Sequence, residues 1–156
     1  DFNKKTSEDI NRQAMSVMNR YGIDCYAAII ISPSWNKNDF LKAGKIMKEL
    51  KIKFVNLQPL TPLKGINLDI DESRIILNRK DFAKWDLAHV SIKPDHMSVS
   101  DFYIETVRLY KKIIFSPGNI LSHMKYPLSM QWKMMKGLIK VYRQYSRRIM
   151  EVKEYV

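Results

Sequence analysis

The stretch IDCYAAIII, Ile23–Ile31, is apolar at consecutive positions from Cys25 on, rather than at alternate ones. A strand of that kind must be covered on both faces, which is the situation of a parallel strand inside a layered α/β sheet. It is bracketed by helical patterns. Upstream, Thr6 or Ser7 can cap a first helix, with Glu8 and Asp9 at the positive end of its dipole. Ile10, Ala14, Val17, Met18 and Tyr21 mark one apolar face of it, and Gly22 ends it. Downstream, Asn36 or Asn38 caps a second helix with Asp39 in its first turn, and Phe40, Ala43, Met47 and Leu50 form its inner face. KFVNLQPL then reads as a second strand. The order α-β-α-β with short connections is the grammar of parallel β–α units.

The pattern changes after that. TPLKGINLDIDESRIILNRKDFAKWD is a long polar connection with turn signals at Pro62 and Gly65. LAHVSI can supply one more short strand. Ser98 caps a third helix, with Asp101 three residues on and Phe102, Leu109, Ile113 and Ile114 on its apolar side. SPGNILSHMKYP breaks that helix. A last helical segment from Leu128 carries Met130, Met134, Leu138, Val141, Tyr145 and Ile149 on one stripe. Two β–α units are too few for a sheet covered on both faces, so further strands are expected upstream of Asp1. The chain divides into 1–65, two β–α units; 66–97, the connection; and 98–156, a helical extension.

Charge adds a second constraint. The 156 residues carry a formal net charge of +11, unevenly placed. From Glu105 onward, eleven basic residues face three acidic ones. The field favours acidic partners: nucleic acid, anionic lipid or phosphorylated substrates. Lys133, Lys136, Lys140, Arg143, Arg147 and Arg148, with Tyr142 and Tyr145, describe an amphipathic surface suited to anionic lipid or RNA. No run of about eighteen apolar residues exists to span a bilayer. One cysteine, Cys25, excludes an internal disulfide and fits a reducing compartment. The nine methionines read as adaptable core filler.

Ligands of α/β sheets bind beyond the carboxyl ends of the strands. The first strand delivers Ser32, Pro33, Ser34, Trp35 and Asn36 to that edge. The second delivers Gln58, Pro59, Leu60, Thr61 and Pro62. Hydroxyls and amides there can bond ribose, amide or carboxylate groups; equally, they can only cap the next helix and end the strand. His89 and His96 lack an acidic or cysteine partner at ligand spacing, and His89 reads as an anchor for the connection. Asp69, Asp71 and Glu72 lack a calcium-loop pattern and read as a solvated loop. His123 falls in an expected loop.

At these residues the sequence resembles a known family. FNKKTSEDINRQAMSVMNRYGIDCYAAIIISPSWNKNDF resembles the later half of radical S-adenosylmethionine (radical SAM) enzymes, where such a helix precedes the fifth barrel strand. VNLQPLTPLKGINL resembles the sixth strand and its exit. KWDLAHVSIKPDHMSVSDFYIETVRLYKK is similar to the segment that follows, with an Asp-x-x-His pairing. The form of the first turn is similar to the branch that often carries an N-terminal cobalamin-binding domain, including hopanoid-type methylases. The similarity covers roughly residues 2–115.

The resemblance implies an α/β fold: the C-terminal portion of a partial (β/α)6 barrel, two parallel β–α units followed by a mainly helical extension. It implies reductive cleavage of S-adenosylmethionine at a 4Fe-4S cluster, with cobalamin a candidate further cofactor and a small-molecule or lipid-like substrate. By position, Ile30, Ser32, Pro33, Gln58, Leu60 and Thr61 would lie near the adenosyl group. The location it implies is cytoplasmic, with an anionic membrane surface as a partner for the basic last helix. Two features depart from the family. Its glycine after the fifth strand is replaced, with Ser32 nearest, and the CxxxCxxC cluster loop is absent. The chain alone is therefore expected to hold no metal and to be inactive, the upstream part of the same polypeptide supplying the cluster. The alternative expectation is a self-contained basic module that binds nucleic acid or anionic membrane.

Overall fold

The computed structural model describes residues 7–63, 65–66 and 68–154. Helix α1 spans Glu8–Arg20, strand β1 Tyr26–Ile31, helix α2 Lys37–Glu49 and strand β2 Phe54–Pro59. After a long connection come α3, Val99–Ile114, α4, Pro117–His123, and α5, Leu128–Glu154. β1 and β2 pair in parallel, Tyr26 opposite Phe54 through Ile31 opposite Pro59. The class is α/β, with two parallel strands and several helices.

The helix starts follow the expected chemistry. The Ser7 hydroxyl accepts from the Ile10 amide at 3.3 Å; the alternative cap, Thr6, lies outside the described residues. Asn36 and Asp39 close a reciprocal capping box on α2: the Asn36 side chain accepts from the Asn38 and Asp39 amides, and the Asp39 carboxylate from the Asn36 amide. Ser98 caps α3 through the Asp101 amide. Gly22 takes a φ of 68°, the left-handed conformation that glycine adopts without a Cβ penalty.

One face of the sheet, Ala27, Ile29, Ile31, Val55 and Leu57, packs into the core with Phe40 and Met47 of α2 and Phe102, Leu109 and Ile113 of α3. Trp35, Phe40 and Phe102 meet edge to face at 5.2 and 5.5 Å between ring centres. Gly44 lies where α2 crosses α3; a Cβ there would come within 3.2 Å of the Leu109 and Lys112 side chains. Tyr145 of α5 joins the same core, so the helical extension and the β–α units are one packed body.

Four expectations change. On α1 the core takes Met15 and, in part, Met18, while Ile10, Val17 and Tyr21 stay exposed, because nothing among the described residues covers their side of the helix. LAHVSI forms no strand; Ile92 makes one isolated antiparallel bridge with Ile75, which itself ends the 3-10 turn Glu72–Arg74. SPGNILSHMKYP does interrupt α3, but Pro117 at a helix start nucleates α4, which includes His123. On α5, Met130 is exposed, and Arg148 and Tyr145 are buried rather than part of a solvated basic face.

Candidate functional site

The two edges of the sheet are finished differently, and the difference locates the site. The Leu60 amide bonds the Ile31 carbonyl at 3.0 Å, so residues 27, 29 and 31 turn their backbone groups towards β2. By the same alternation, residues 55, 57 and 59 of β2 face away from β1. At Leu57 and Pro59 that outer edge is closed by side chains. The Leu57 amide donates to the Tyr110 hydroxyl at 2.7 Å, and the Tyr145 hydroxyl donates to the Leu57 carbonyl at 3.3 Å. Pro59 has no amide to leave unpaired, and its carbonyl accepts from the Thr61 hydroxyl at 3.1 Å. Burial raises the pKa of both tyrosines, so they remain protonated partners at any ordinary pH.

The edge of β1 has no such closure. Tyr26, Ala28 and Ile30 turn their amides and carbonyls away from β2, and among the described residues no strand pairs there. The same three side chains lie exposed on the sheet face that carries Phe54, Asn56 and Gln58 opposite them.

At the carboxyl ends of the strands the turn after β1 folds on itself. The Ser32 and Ser34 hydroxyls lie 2.8 Å apart, the Ser34 amide donates to the Ser32 hydroxyl, and the Trp35 amide donates to the Ser32 carbonyl. The connection fixes this rim from outside. The Asp95 amide donates to the Pro33 carbonyl at 3.0 Å, and the Ser91 hydroxyl donates to the Leu60 carbonyl at 3.3 Å. Arg74 holds Asp95 in an ion pair and donates to the Lys93 carbonyl.

Of the six residues expected near an adenosyl group, Ile30 and Gln58 are direct cross-strand partners on the open sheet face, and Ser32, Pro33 and Leu60 flank them half-buried at the rim. Thr61 is buried, with its hydroxyl committed to Pro59. The site therefore presents an aliphatic side chain and an amide side by side on the sheet face, next in sequence to a turn that holds a pair of hydroxyls.

Behind the rim lies a polar network that spacing alone does not reveal. One Asp86 carboxylate oxygen accepts from the Ala88 and His89 amides and from His89 Nδ1, each at 2.9 Å. The other oxygen meets the Arg148 guanidinium at 3.3 Å. Burial works against the Asp86 charge, yet His89 and the two amides hold its pKa below the ordinary value. His89 thus anchors the connection, as its position suggested. The Val90 amide donates to the Tyr103 hydroxyl at 2.8 Å, and burial pushes that hydroxyl's pKa up to about 12. Arg148, buried to 8% exposure, also lies over the Tyr145 ring. Arg148, Tyr103, Tyr110 and Tyr145 carried no local signal, since each acts on a partner 13 to 88 residues away.

Three of the other candidate residues make local or stacking contacts. Asp71 accepts from the Ser73 amide and Glu72 pairs with Arg79. His123 stacks on Phe54 at 5.5 Å, with its Nε2 buried and without a partner among the described residues. Among the described residues no three His, Cys, Asp or Glu side chains converge. Cys25 precedes β1 at the amino end of the strands, opposite the rim, and is partly buried against the core. A 4Fe-4S cluster does not fit this donor set, which offers one thiolate where several are needed.

Comparison of the chain with protein-family models, curated proteins and solved structures found no match.

Proposed function

We propose that this chain is the carboxyl-terminal part of a radical SAM enzyme, in which β1 and β2 are the last two strands of a partial barrel. The observation that supports the reading most is the unequal finish of the sheet. The edge of β2 is closed at Leu57 and Pro59 by Tyr110, Tyr145 and Thr61, while among the described residues nothing pairs with the edge of β1. A sheet that ends at β2 and continues beyond β1 is what a last pair of strands requires. The exposed Ile10, Val17 and Tyr21 of α1 fit the same reading, as an apolar face awaiting cover.

In this role the chain binds and orients rather than reacts. Ile30 would pack against the adenine, Gln58 would hydrogen-bond the adenosyl group, and Ser32, Pro33 and Leu60 would shape the turn around it. The cluster, held by cysteines elsewhere in the polypeptide, would supply the electron that cleaves S-adenosylmethionine to methionine and a 5′-deoxyadenosyl radical. Asp86, His89 and Arg148 are positioning residues that hold the connection across the rim. Methyl transfer through cobalamin to a lipid-like substrate is the finer form of the proposal and rests on the resemblance of the first turn.

The test is the native polypeptide purified anaerobically from its source. The reading expects an intact mass well above 18.4 kDa, an upstream CxxxCxxC loop, and 5′-deoxyadenosine from S-adenosylmethionine under dithionite. A native mass of 18.4 kDa would remove the enzymatic reading. The basic-module alternative draws on a separate feature, the surface of α5.

A further inference from the structure

α5 repeats one pairing along its length: Trp132-Lys133, Met135-Lys136, Ile139-Lys140 and Tyr142-Arg143. The repeats step by three and four residues, so each member forms its own stripe, and neighbours in sequence sit about 100° apart around the axis. α5 therefore has three faces. Leu138, Val141 and Tyr145 turn to the protein; Trp132, Met135, Ile139 and Tyr142 form a second apolar row; the lysines and arginines form a cationic row beside it.

The second row is surplus to the core. Trp132 is 66% exposed, and Met135, Ile139 and Tyr142 are each about half exposed. Single exposed apolar residues are ordinary, but a contiguous row marks a contact surface. Met135 also lines an apolar recess of about 530 Å³ between β2, α3, α4 and α5, together with the exposed Ile120 of α4 and Met124 just after it.

The cationic row is equally unmatched. No acidic residue occurs between Glu105 and Glu151. Among the described residues the one ion pair on α5 is that of Arg148 with Asp86, on the buried side. A merely solvated helix face mixes charges of both signs in i,i+4 pairs.

We propose that α4 and α5 seat this protein peripherally on an anionic lipid bilayer. Trp132, Met135 and Ile139 enter the headgroup–acyl boundary, and Lys136, Lys140 and Arg143 meet the lipid phosphates. The chemistry selects this partner over RNA. The same phosphate charge would attract both, but methionine and isoleucine between two aromatics offer bases little to stack on, whereas they match an acyl boundary. The inference stands apart from the radical SAM reading and survives its failure.

The test is co-sedimentation of the native-length polypeptide with phosphatidylserine-rich vesicles, pure phosphatidylcholine vesicles, or single-stranded RNA of mixed sequence. Binding is expected to the phosphatidylserine vesicles and to fall steeply with salt. Lys136→Ala with Lys140→Ala should weaken it about 30-fold, on the order of fivefold per charge. Trp132→Ala and Ile139→Ser leave the charge unchanged and should each weaken it about tenfold. All these side chains are exposed, so circular dichroism should be unchanged. Four results would overturn the proposal: no vesicle binding, RNA binding in its place, vesicle binding indifferent to Trp132→Ala and Ile139→Ser, or self-association through the same row that leaves nothing for lipid.

Discussion

β1 and β2 are strands of equal length in one sheet, yet their outer edges have opposite characters. At Leu57 and Pro59 of β2, tyrosines from two helices take the place of a neighbouring strand and a proline stands where an amide would be orphaned. Among the described residues β1 leaves three residues' amides and carbonyls unanswered, beside an apolar face that is partly bare. Exposed edges invite pairing, and a chain usually blunts them with charge, proline or a bulge. β1 does none of these: its open-edge residues are Tyr26, Ala28 and Ile30.

The sharpest way to break the closed edge is Tyr145→Ala. It removes a buried ring that touches Tyr103 and Tyr110 as well as the hydroxyl on Leu57, and should cost about 4 kcal/mol in urea unfolding of the chain. Asp86→Asn comes next, at about 2 kcal/mol, because it leaves the Arg148 guanidinium buried without a carboxylate. The pH dependence has a defined sign. The Asp86 pKa is lower in the folded chain than the unfolded value of about 3.9, so its contribution is complete above that value. It is lost as pH falls through the lower folded value, and acid unfolding of Asp86→Asn should show a correspondingly smaller dependence below pH ~4.

Tyr110→Phe removes the acceptor of the Leu57 amide and should cost about 1.5 kcal/mol, together with faster exchange of that amide. The smallest effect belongs to the open edge. Ile30→Lys should change the stability of the 156-residue chain by no more than about 0.5 kcal/mol, since half of that side chain already meets water. A large cost there would mean that the β1 edge is packed and the contrast false.

What the sequence made legible was local. Caps such as Asn36 with Asp39, and apolar periods such as Phe40, Ala43 and Met47, announce themselves within one or two turns. The strand-end turns were legible for the same reason. The edge closure was not, because Tyr110 and Tyr145 meet Leu57 across 53 and 88 residues and look like any helical aromatic in sequence. α1 misled in the opposite way. Its apolar spacing at Ile10, Ala14, Val17 and Tyr21 is real, but spacing cannot say what will cover a face, and here Met15 turns inward instead. Arg148 sat in a basic run, and only its burial against Asp86 and Tyr145 separates it from the exposed row.

Amide exchange at Ala28 and Ile30 in the native-length polypeptide tests the central claim most directly, with the 156-residue chain as reference. If β1 is an internal strand of a longer sheet, both amides exchange rapidly in the short chain and become as protected as the Leu57 amide in the native protein. If they exchange as fast in the native protein as in the short chain, β1 is a true edge and the account is wrong.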